Sequence, residues 1–480
     1  MTGNPEVEIE NIEYDSRRIE PGGLFVAVKG FKVDGYNYVA QAVKKGAVAV
    51  MGERTECPES DNHISVPDVR QAMATAAAAF YGYPGQHLDI TGVTGTNGKT
   101  TTCYLIKGIM ETAGKPTGMV TSQVYNTGAN EVVADRTTPE SVDLQRYLHE
   151  MKGNRCVGAV VEVSSHALVL HRVDHVDFRA AVYTNLTRDH LDFHSTMEEY
   201  MQAKAMLAEK VSRDRGYVVI NLDVPEFRAL CEGFDCPVIG YSVSDTSADV
   251  YCDGVRIRPD RTEFRLVTPI GIGAVICKLP GRFNLGNAIA AAATGIAHRV
   301  PLESIIAGLQ AARQVPGRFN YVGAGQPFAI YVDYAHTPDA IERLCESARE
   351  ITRGRVLILC GCGGDRDKGK RPMMGKAATT SADFAVITSD NPRSEDPNAI
   401  IEDIKPGLVG ESYEICMDRS EAIEKILKMA KPHDVVLLAG KGAENYQEVK
   451  GVRHHFSDTE QALKVLKELG YSNEGSERES

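Results

Sequence analysis

Short apolar runs bounded by glycine, proline and polar clusters recur along the chain, alternating with longer stretches in which apolar positions return every three or four residues. The first pattern suits strands buried on both faces and the second suits helices, so the alternation predicts βα units and mainly parallel sheets. In the N-terminal part, 24–28 reads as a strand after the turn Pro21-Gly22-Gly23, 38–45 as a helix stopped by Gly46, and 47–51 as the next strand, in a small α/β unit that ends near Gly85. From Leu88 onward, predicted strands at 88–93, 157–163, 178–184 and 217–220 alternate with helices at 100–113, 143–152 and 197–210. That is a doubly wound pattern. Between Asp249 and Leu279 polar and apolar residues alternate around Asp-Gly, Pro-Asp and Pro-Ile-Gly turns, which predicts an antiparallel excursion before an alanine-rich helix at 285–298. After Pro316-Gly317 the strands 329–332, 356–360, 384–388 and 435–439 alternate with helices in a further α/β domain.

The chain has 480 residues, and at about one domain per 150 residues this implies three. The pattern places them at 1–86, 87–316 and 317–472, followed by a polar tail at 473–480. Apolar residues at 43% and charged residues at 25% exclude general disorder and fibrous repeats. Lys and Arg number 53 against 65 Asp and Glu, and the net charge of -12 argues against nucleic acid or an anionic membrane as partner. An anionic ligand therefore needs a local site. Eleven cysteines scattered along a long chain point to reduced thiols, and Cys360 and Cys362 lack a second pair at zinc spacing. The first ten residues are polar, and no stretch reaches the roughly 18 apolar residues of a membrane span, so a cytoplasmic location is expected.

The strongest local motif is Thr94-Gly95-Thr96-Asn97-Gly98-Lys99-Thr100, which follows an apolar strand and opens a helix. Backbone N–H groups in such a loop cradle phosphates, glycine permits close approach, Lys99 meets the terminal phosphates, and the Thr100 hydroxyl suits Mg²⁺. The strict phosphate-loop pattern wants glycine where this chain has Val93, so the loop is a variant. Glu162 and His190 stand where parallel strands end, as metal ligands do, whereas His194 and, taken alone, Lys204 suit local hydrogen bonding and a solvated helix face. Later in the chain, Asp333-Tyr334-Ala335-His336, Gly361 to Pro372, Ser389 to Arg393 and Gly440 to Glu444 all follow strands. Consecutive sheet edges thus present ligand-type loops.

Taken together, Gly95 to Thr100, Glu162-Val163-Ser164-Ser165-His166, Asn185 to His194, Asp333 to Pro338 and Asp390 to Arg393 resemble the Mur ligase family. The resemblance runs in order over nearly the whole chain. It implies three domains: an α/β uridine-binding domain, a central phosphate-loop ATPase domain with a mostly parallel sheet, and a C-terminal Rossmann-like α/β domain. It also implies an ATP-dependent ligation in peptidoglycan precursor synthesis, in which the D-glutamyl carboxylate of UDP-N-acetylmuramoyl-L-alanyl-D-glutamate becomes an acyl phosphate and is attacked by meso-2,6-diaminopimelate. By motif position, Gly95, Thr96, Asn97, Gly98, Lys99, Thr100, Thr101, Asn284, Arg318, Asp333 and His336 are implied to bind ATP. Thr100 and Glu162 are implied to hold one Mg²⁺, and His190 with Lys204, as a carbamate, a second. Lys99, Glu162, His190 and Lys204 form the implied catalytic set.

For the nucleotide sugar the resemblance implies Ser16, Thr137, Thr138, Ser164 and Arg172, with Leu170 standing where the family pattern has Gln before His-Arg. For the amino acid it implies Arg366, Asp390, Asn391, Pro392, Arg393, Gly440 and Glu444, with Arg393 reading the distal carboxylate that separates diaminopimelate from lysine. The chain is expected to act as a monomer. A folylpolyglutamate-synthetase type of ligase, a phosphate-loop switch or motor ATPase, and a silent binding module are the rival readings: the Asp-Asn-Pro-Arg loop and the extra N-terminal domain speak against the first, amino-acid-dependent phosphate release separates the second, and the presence of Lys99, Glu162, His190 and Lys204 speaks against the third.

Overall fold

The computed structural model describes residues 3–4, 6–30, 33–187, 189–190, 193–211, 216–230 and 236–471, so the expected tail at 473–480 lies outside the described residues. The chain divides into two compact units. The first runs to Asp253 and includes Leu266–Gly273 and Gly286–Leu309; the second comprises Gly254–Arg265, Ala274–Leu285 and the chain from Gln310 onward.

The first unit opens with a parallel four-stranded sheet in the order β1 (Asn11–Glu13), β2 (Gly23–Val26), β3 (Ala47–Gly52) and β4 (His63–Ser65). The helix predicted at 38–45 spans Val39–Lys44, because Asp34 caps a 3₁₀ turn at Gly35–Tyr38 by accepting from the Tyr36 N–H and so takes up the entry to the helix. A further helix, Val69–Phe80, is capped by Asp68, which accepts from the Arg70 and Gln71 N–H groups. It buries Val69, Met73 and Ala77 against Leu24, Val26 and Met51.

The central sheet of this unit takes in β5 (Asp89–Thr94), β6 (Thr117–Val120), β7 (Val124–Asn126), β8 (Glu131–Val133), β9 (Gly158–Glu162), β10 (Phe178–Tyr183), β11 (Tyr217–Asn221) and β12 (Val238–Ser242). Their order is β12-β11-β10-β5-β9-β6-β7-β8, parallel from β12 to β6 and antiparallel at β6-β7-β8. Parallel strands need both faces covered. Helices Ser141–Gly153 and Met197–Glu209 place Leu144, Leu148 and Leu207 against Ile90, Val161 and Ala181 of the sheet. Each such side chain contributes about 1.5–3 kcal/mol on burial. The expected excursion forms three strands, β13 (Val250–Ile257), β14 (Thr262–Thr268) and β15 (Gly271–Cys277), followed by the helix Arg282–Ala297; their residues divide between the units.

The second unit holds a sheet in the order β16 (Asn320–Tyr321), β17 (Ala329–Asp333), β21 (Val435–Ala439), β18 (Val356–Cys360), β19 (Phe384–Ile387) and β20 (Tyr413–Ile415), parallel except at β16. Alternate residues of each strand face opposite layers: Tyr331, Ile358 and Leu437 meet the helices Pro338–Ile351 and Lys370–Ser381, while Ile330, Leu357 and Leu438 meet Arg419–Met429 and Asp458–Glu468. A hairpin, β22 (Tyr446–Val449) with β23 (Val452–His455), follows β21. Among the described residues, no helix is long and apolar enough to cross a membrane.

Candidate functional site

In the first unit the phosphate-type loop runs from the end of β5 into the helix Lys99–Thr112. Two glycines make the path possible. Gly95 has φ 143° and Gly98 φ 81°, and a Cβ would lie 2.0 Å from Thr184 Oγ1 at the first and 2.3 Å from Asn287 Oδ1 at the second. The end of β10 fixes the loop's shape: Asn97 N–H donates to Asn185 Oδ1 (2.8 Å), Asn185 Nδ2 donates back to the Asn97 carbonyl (3.0 Å), and Thr184 Oγ1 donates to the same carbonyl (2.7 Å). Lys99 folds back, its Nζ donating to the Gly95 and Thr96 carbonyls at 3.0 and 2.8 Å and standing 4.0 Å from Glu162 Oε1.

Glu162, at the end of β9, is buried and accepts from Thr100 Oγ1 (2.9 Å) and from the Ser122 N–H (3.0 Å). Ser122, which the sequence did not single out, also shares a hydroxyl contact of 3.0 Å with Thr100. Its signal was available only as a polar residue two places beyond an apolar strand. Thr101 is buried in the first turn of the same helix.

Lys204 departs from the solvated face that its spacing alone suggests: it is 1% exposed, because the helix Met197–Glu209 turns Tyr200, Lys204 and Leu207 toward the sheet. Its Nζ donates to the Gly95 carbonyl at 2.9 Å and sits 4.3 Å from the centre of the Tyr200 ring. Burial, and then the charge of Lys99, hold its ammonium well below the ordinary lysine range. His190 has φ 54°, and its ring centre lies 4.8 Å from that of His166 and 6.0 Å from that of Tyr200, whose hydroxyl reaches Thr96 Oγ1 at 3.3 Å. Tyr200 therefore links Lys204, His190 and the loop. His194 is buried against Ser165, with Nε2 to Oγ at 2.9 Å, the local role its spacing suggested.

Among the described residues no group of three or more His, Cys, Asp or Glu gathers to hold a metal. The expected donors differ in kind, since Thr100 brings a hydroxyl and Lys204 would bring oxygens only as a carbamate. Thr100 Oγ1 and Glu162 Oε2, both oxygen and adjacent at the loop, fit a Mg²⁺ ion.

Three of the nucleotide-sugar candidates, Thr138, Ser164 and Arg172, form a chain. Thr138 Oγ1 donates to the Glu162 carbonyl (2.7 Å) and accepts from the Ser164 N–H (3.1 Å), while Arg172 donates to the Thr138 carbonyl (3.1 Å) and to Glu140 (2.8 Å). Glu140, unmarked by the sequence, also takes Arg70 at 3.2 Å and Arg136, three arginines on one buried carboxylate. Thr137 is half-buried beside them, Leu170 ends the helix Ser165–Val169, and Ser16 is buried with its Oγ 3.0 Å from Gln41.

The second unit gathers its candidates at the carboxyl ends of its own strands. Asp333 accepts from the Phe319 and Ala335 N–H groups at 2.7 and 2.8 Å, and burial raises its carboxyl above the usual range. The Arg318 guanidinium lies 5.4 Å from the Tyr334 ring centre, and His336 Nδ1 lies 2.7 Å from the Tyr334 carbonyl, its imidazole pushed down by burial. Asn284 is buried and donates to the Pro280 carbonyl at 2.8 Å. After β19, Asp390, Asn391 and Pro392 are buried, and Arg393 adopts φ 52° with Nη1 donating to the Gly364 carbonyl at 2.7 Å. After β21, Gly440 approaches so closely that a Cβ would stand 2.5 Å from Asp390 Oδ2, and Asn391 Nδ2 donates to Glu444 Oε2 at 2.7 Å. Burial raises the Glu444 carboxyl, opposed by Lys441. Arg366 is exposed in the loop after β18.

Comparison with known proteins covers almost the whole chain. Residues 8–81 match the Mur ligase family catalytic domain, 93–295 the Mur ligase middle domain, and 317–442 the Mur ligase glutamate ligase domain. UDP-N-acetylmuramoyl-L-alanyl-D-glutamate–2,6-diaminopimelate ligase of Bacillus licheniformis is 41% identical over 472 residues, 97% of this chain and 96% of that one. The enzyme of the same name from Halalkalibacterium halodurans is 43% identical over 468 residues, 97% of this chain and 96% of its own. A solved structure of a ligase with that name is 32% identical, with a TM-score of 0.68 over 97% of this chain and 96% of that chain.

Proposed function

The chain belongs to the Mur ligase family, and from that membership we propose that it is an ATP-dependent amide ligase adding meso-2,6-diaminopimelate to UDP-N-acetylmuramoyl-L-alanyl-D-glutamate in peptidoglycan precursor synthesis. The observation that carries the ligase reading is the phosphate loop with Thr100, Glu162, Lys99 and Lys204 converging on it. The near full-length relatives named for diaminopimelate support the choice of amino acid.

A carboxylate is a poor acyl donor, and phosphoryl transfer from ATP turns it into an acyl phosphate whose leaving group an amine can displace. ADP and phosphate are then released. In this reading the N–H groups of Gly95 to Gly98 cradle the nucleotide phosphates, Lys99 leaves its carbonyl partners to meet the transferring group, and Thr101 flanks the phosphates. Mg²⁺, when bound, neutralises charge on the phosphate oxygens. Thr100 and Glu162 would hold it, and His190 with a Lys204 carbamate would hold a second ion. A carbamate at Lys204 keeps one N–H, which still satisfies the Gly95 carbonyl, and it forms from the neutral amine that burial favours. Asn284, Arg318, Asp333 and His336 are assigned to ATP as well.

Ser16, Thr137, Thr138, Ser164 and Arg172 receive the nucleotide sugar. Asp390 to Arg393, with Arg366, Gly440 and Glu444, receive the amino acid: Arg393 pairs the distal carboxylate, and Glu444 the distal ammonium. The same guanidinium repels the lone ammonium of lysine. We assign domain limits of 1–86, 87–316 and 317–472, a cytoplasmic location where ATP and the nucleotide sugar occur together, and a monomeric enzyme.

The test is phosphate release by the purified protein with ATP, Mg²⁺ and UDP-N-acetylmuramoyl-L-alanyl-D-glutamate, adding meso-diaminopimelate, L-lysine or neither. Release that depends on meso-diaminopimelate is expected. Preference for lysine sinks the assignment of Arg393, and release without any amino acid sinks the ligase reading in favour of an ATPase.

A further inference from the structure

Lys441 is 0% exposed, yet nothing in the ligase reading uses it. It lies between Gly440 and Gly442 directly after β21, and three acceptors of two loops converge on its Nζ: Asn391 Oδ1 at 3.1 Å, Glu444 Oε2 at 3.5 Å and Asp390 Oδ1 at 3.9 Å. The Asn391 amide is the hinge of this arrangement. Its Oδ1 takes Lys441 and also the Glu448 N–H at 2.9 Å, while its Nδ2 donates to Glu444 Oε2 at 2.7 Å. An ammonium can only donate, so a lysine at this place compels the amide oxygen to face it and the amide N–H groups to face Glu444. With the amide reversed, two donors would oppose an NH₂ group and a carbonyl oxygen would oppose a carboxylate.

We propose that Lys441 is a positioning residue for amino-acid recognition: it locks the Asn391 amide, and through that amide it seats the Glu444 carboxylate. The proposal rests on the ligase reading in taking Asn391 and Glu444 to face the amino acid. The surroundings support a built device. The cation comes with two carboxylates near it, a Cβ at position 440 would stand 2.5 Å from Asp390 Oδ2, and the hairpin β22-β23 fixes the same loop through Gln447 Nε2 to the Asp390 carbonyl (2.7 Å) and the Arg393 N–H to the Glu448 carbonyl (2.9 Å). Glu444 Oε1 is left to meet the ligand's distal ammonium.

Three variants, Lys441→Met, Glu444→Gln and the double variant, are assayed for amino-acid-dependent phosphate release with ATP and nucleotide sugar saturating and then varied. Lys441→Met should raise the KM for meso-diaminopimelate about tenfold or more, the scale of a lost charge-assisted hydrogen bond, while the KM for ATP stays within about twofold. In the Glu444→Gln background the same substitution should cost much less, because the two act through one contact. An unchanged amino-acid KM, an equal rise in the KM for ATP, or full multiplication of the two single effects overturns the proposal. If Lys441→Met does not fold, Lys441→Gln, which still donates to Asn391 Oδ1, should hold the amino-acid KM within about threefold, and a rise of about tenfold there overturns it equally. Failure of the ligase reading shows separately: the unsubstituted protein then releases no phosphate with any amino acid. If it prefers lysine, the same comparison is run with lysine.

Discussion

The two units each bury a lysine at the end of a strand or beside one, and the two differ in what surrounds the charge. Lys204 is 1% exposed and meets a backbone carbonyl and a tyrosine ring; among the described residues no carboxylate lies within ion-pair distance of it, and Lys99 adds like charge. Lys441 is 0% exposed and meets Glu444 at 3.5 Å and Asp390 at 3.9 Å. Burial lowers the pKa of both, but acids counter it at Lys441, where the shift is the milder one. The surroundings thus press Lys204 toward the neutral amine, whereas the acids beside Lys441 hold more of its charge. A neutral amine can take up carbon dioxide and become an anionic ligand, whereas a fixed cation can only organise its neighbours.

The sharpest way to break this contrast is Lys204→Met, which keeps the packing against Tyr200 and Leu207 and removes the amine. Phosphate release under saturating substrates should fall by a factor of about 10³, as expected for losing a metal-positioning group. Activity within a few-fold of the unsubstituted protein would mean that the buried amine does no chemistry, and that Lys204 resembles Lys441 after all.

Next in size is Arg393→Ala, which tests whether the loops organised around Lys441 read the amino acid. Truncating one partner of a charge pair that closes on binding costs about 2–5 kcal/mol. The value of kcat/KM for meso-diaminopimelate should drop accordingly, while that for L-lysine holds or rises, so the ratio of the two is the quantity to measure. A constant ratio would show that Arg393, held at φ 52° with its guanidinium on the Gly364 carbonyl, serves the loop and not the ligand.

Much of this contrast was invisible to the sequence. The strands Val356–Cys360 and Val435–Ala439 were legible to the residue, because five apolar positions between polar punctuation leave no other reading in a doubly wound sheet. The phosphate loop was legible because each residue type has a job there. The hairpin β22-β23 was not, since every residue of Val452–His455 is exposed and the strand exists through its pairing. Lys204 read as solvated by spacing, and only family resemblance marked it; its burial follows from the helix turning Tyr200, Lys204 and Leu207 inward together. Lys441 sat within a loop that was noticed, but its role lies in the contact with Asn391, 50 residues away, whose amide also holds Glu444, 53 residues from it.

The smallest effects carry the contrast into stability, with opposite signs. Lys204 has a folded-state pKa below its unfolded value, so between those values the unfolded chain binds more protons and stability rises with pH. As a free amine it is therefore a liability at neutral pH that is relieved toward the alkaline side, and Lys204→Met should gain about 1 kcal/mol at neutral pH while flattening that rise. Lys441→Met leaves Asp390 and Glu444 facing each other without their cation and should lose about 3 kcal/mol. Thermal unfolding of both variants across pH measures the pair directly. If both variants lose stability alike, the cation at Lys204 is as well compensated as the one at Lys441, and burial without a nearby acid is not what sets the two lysines apart.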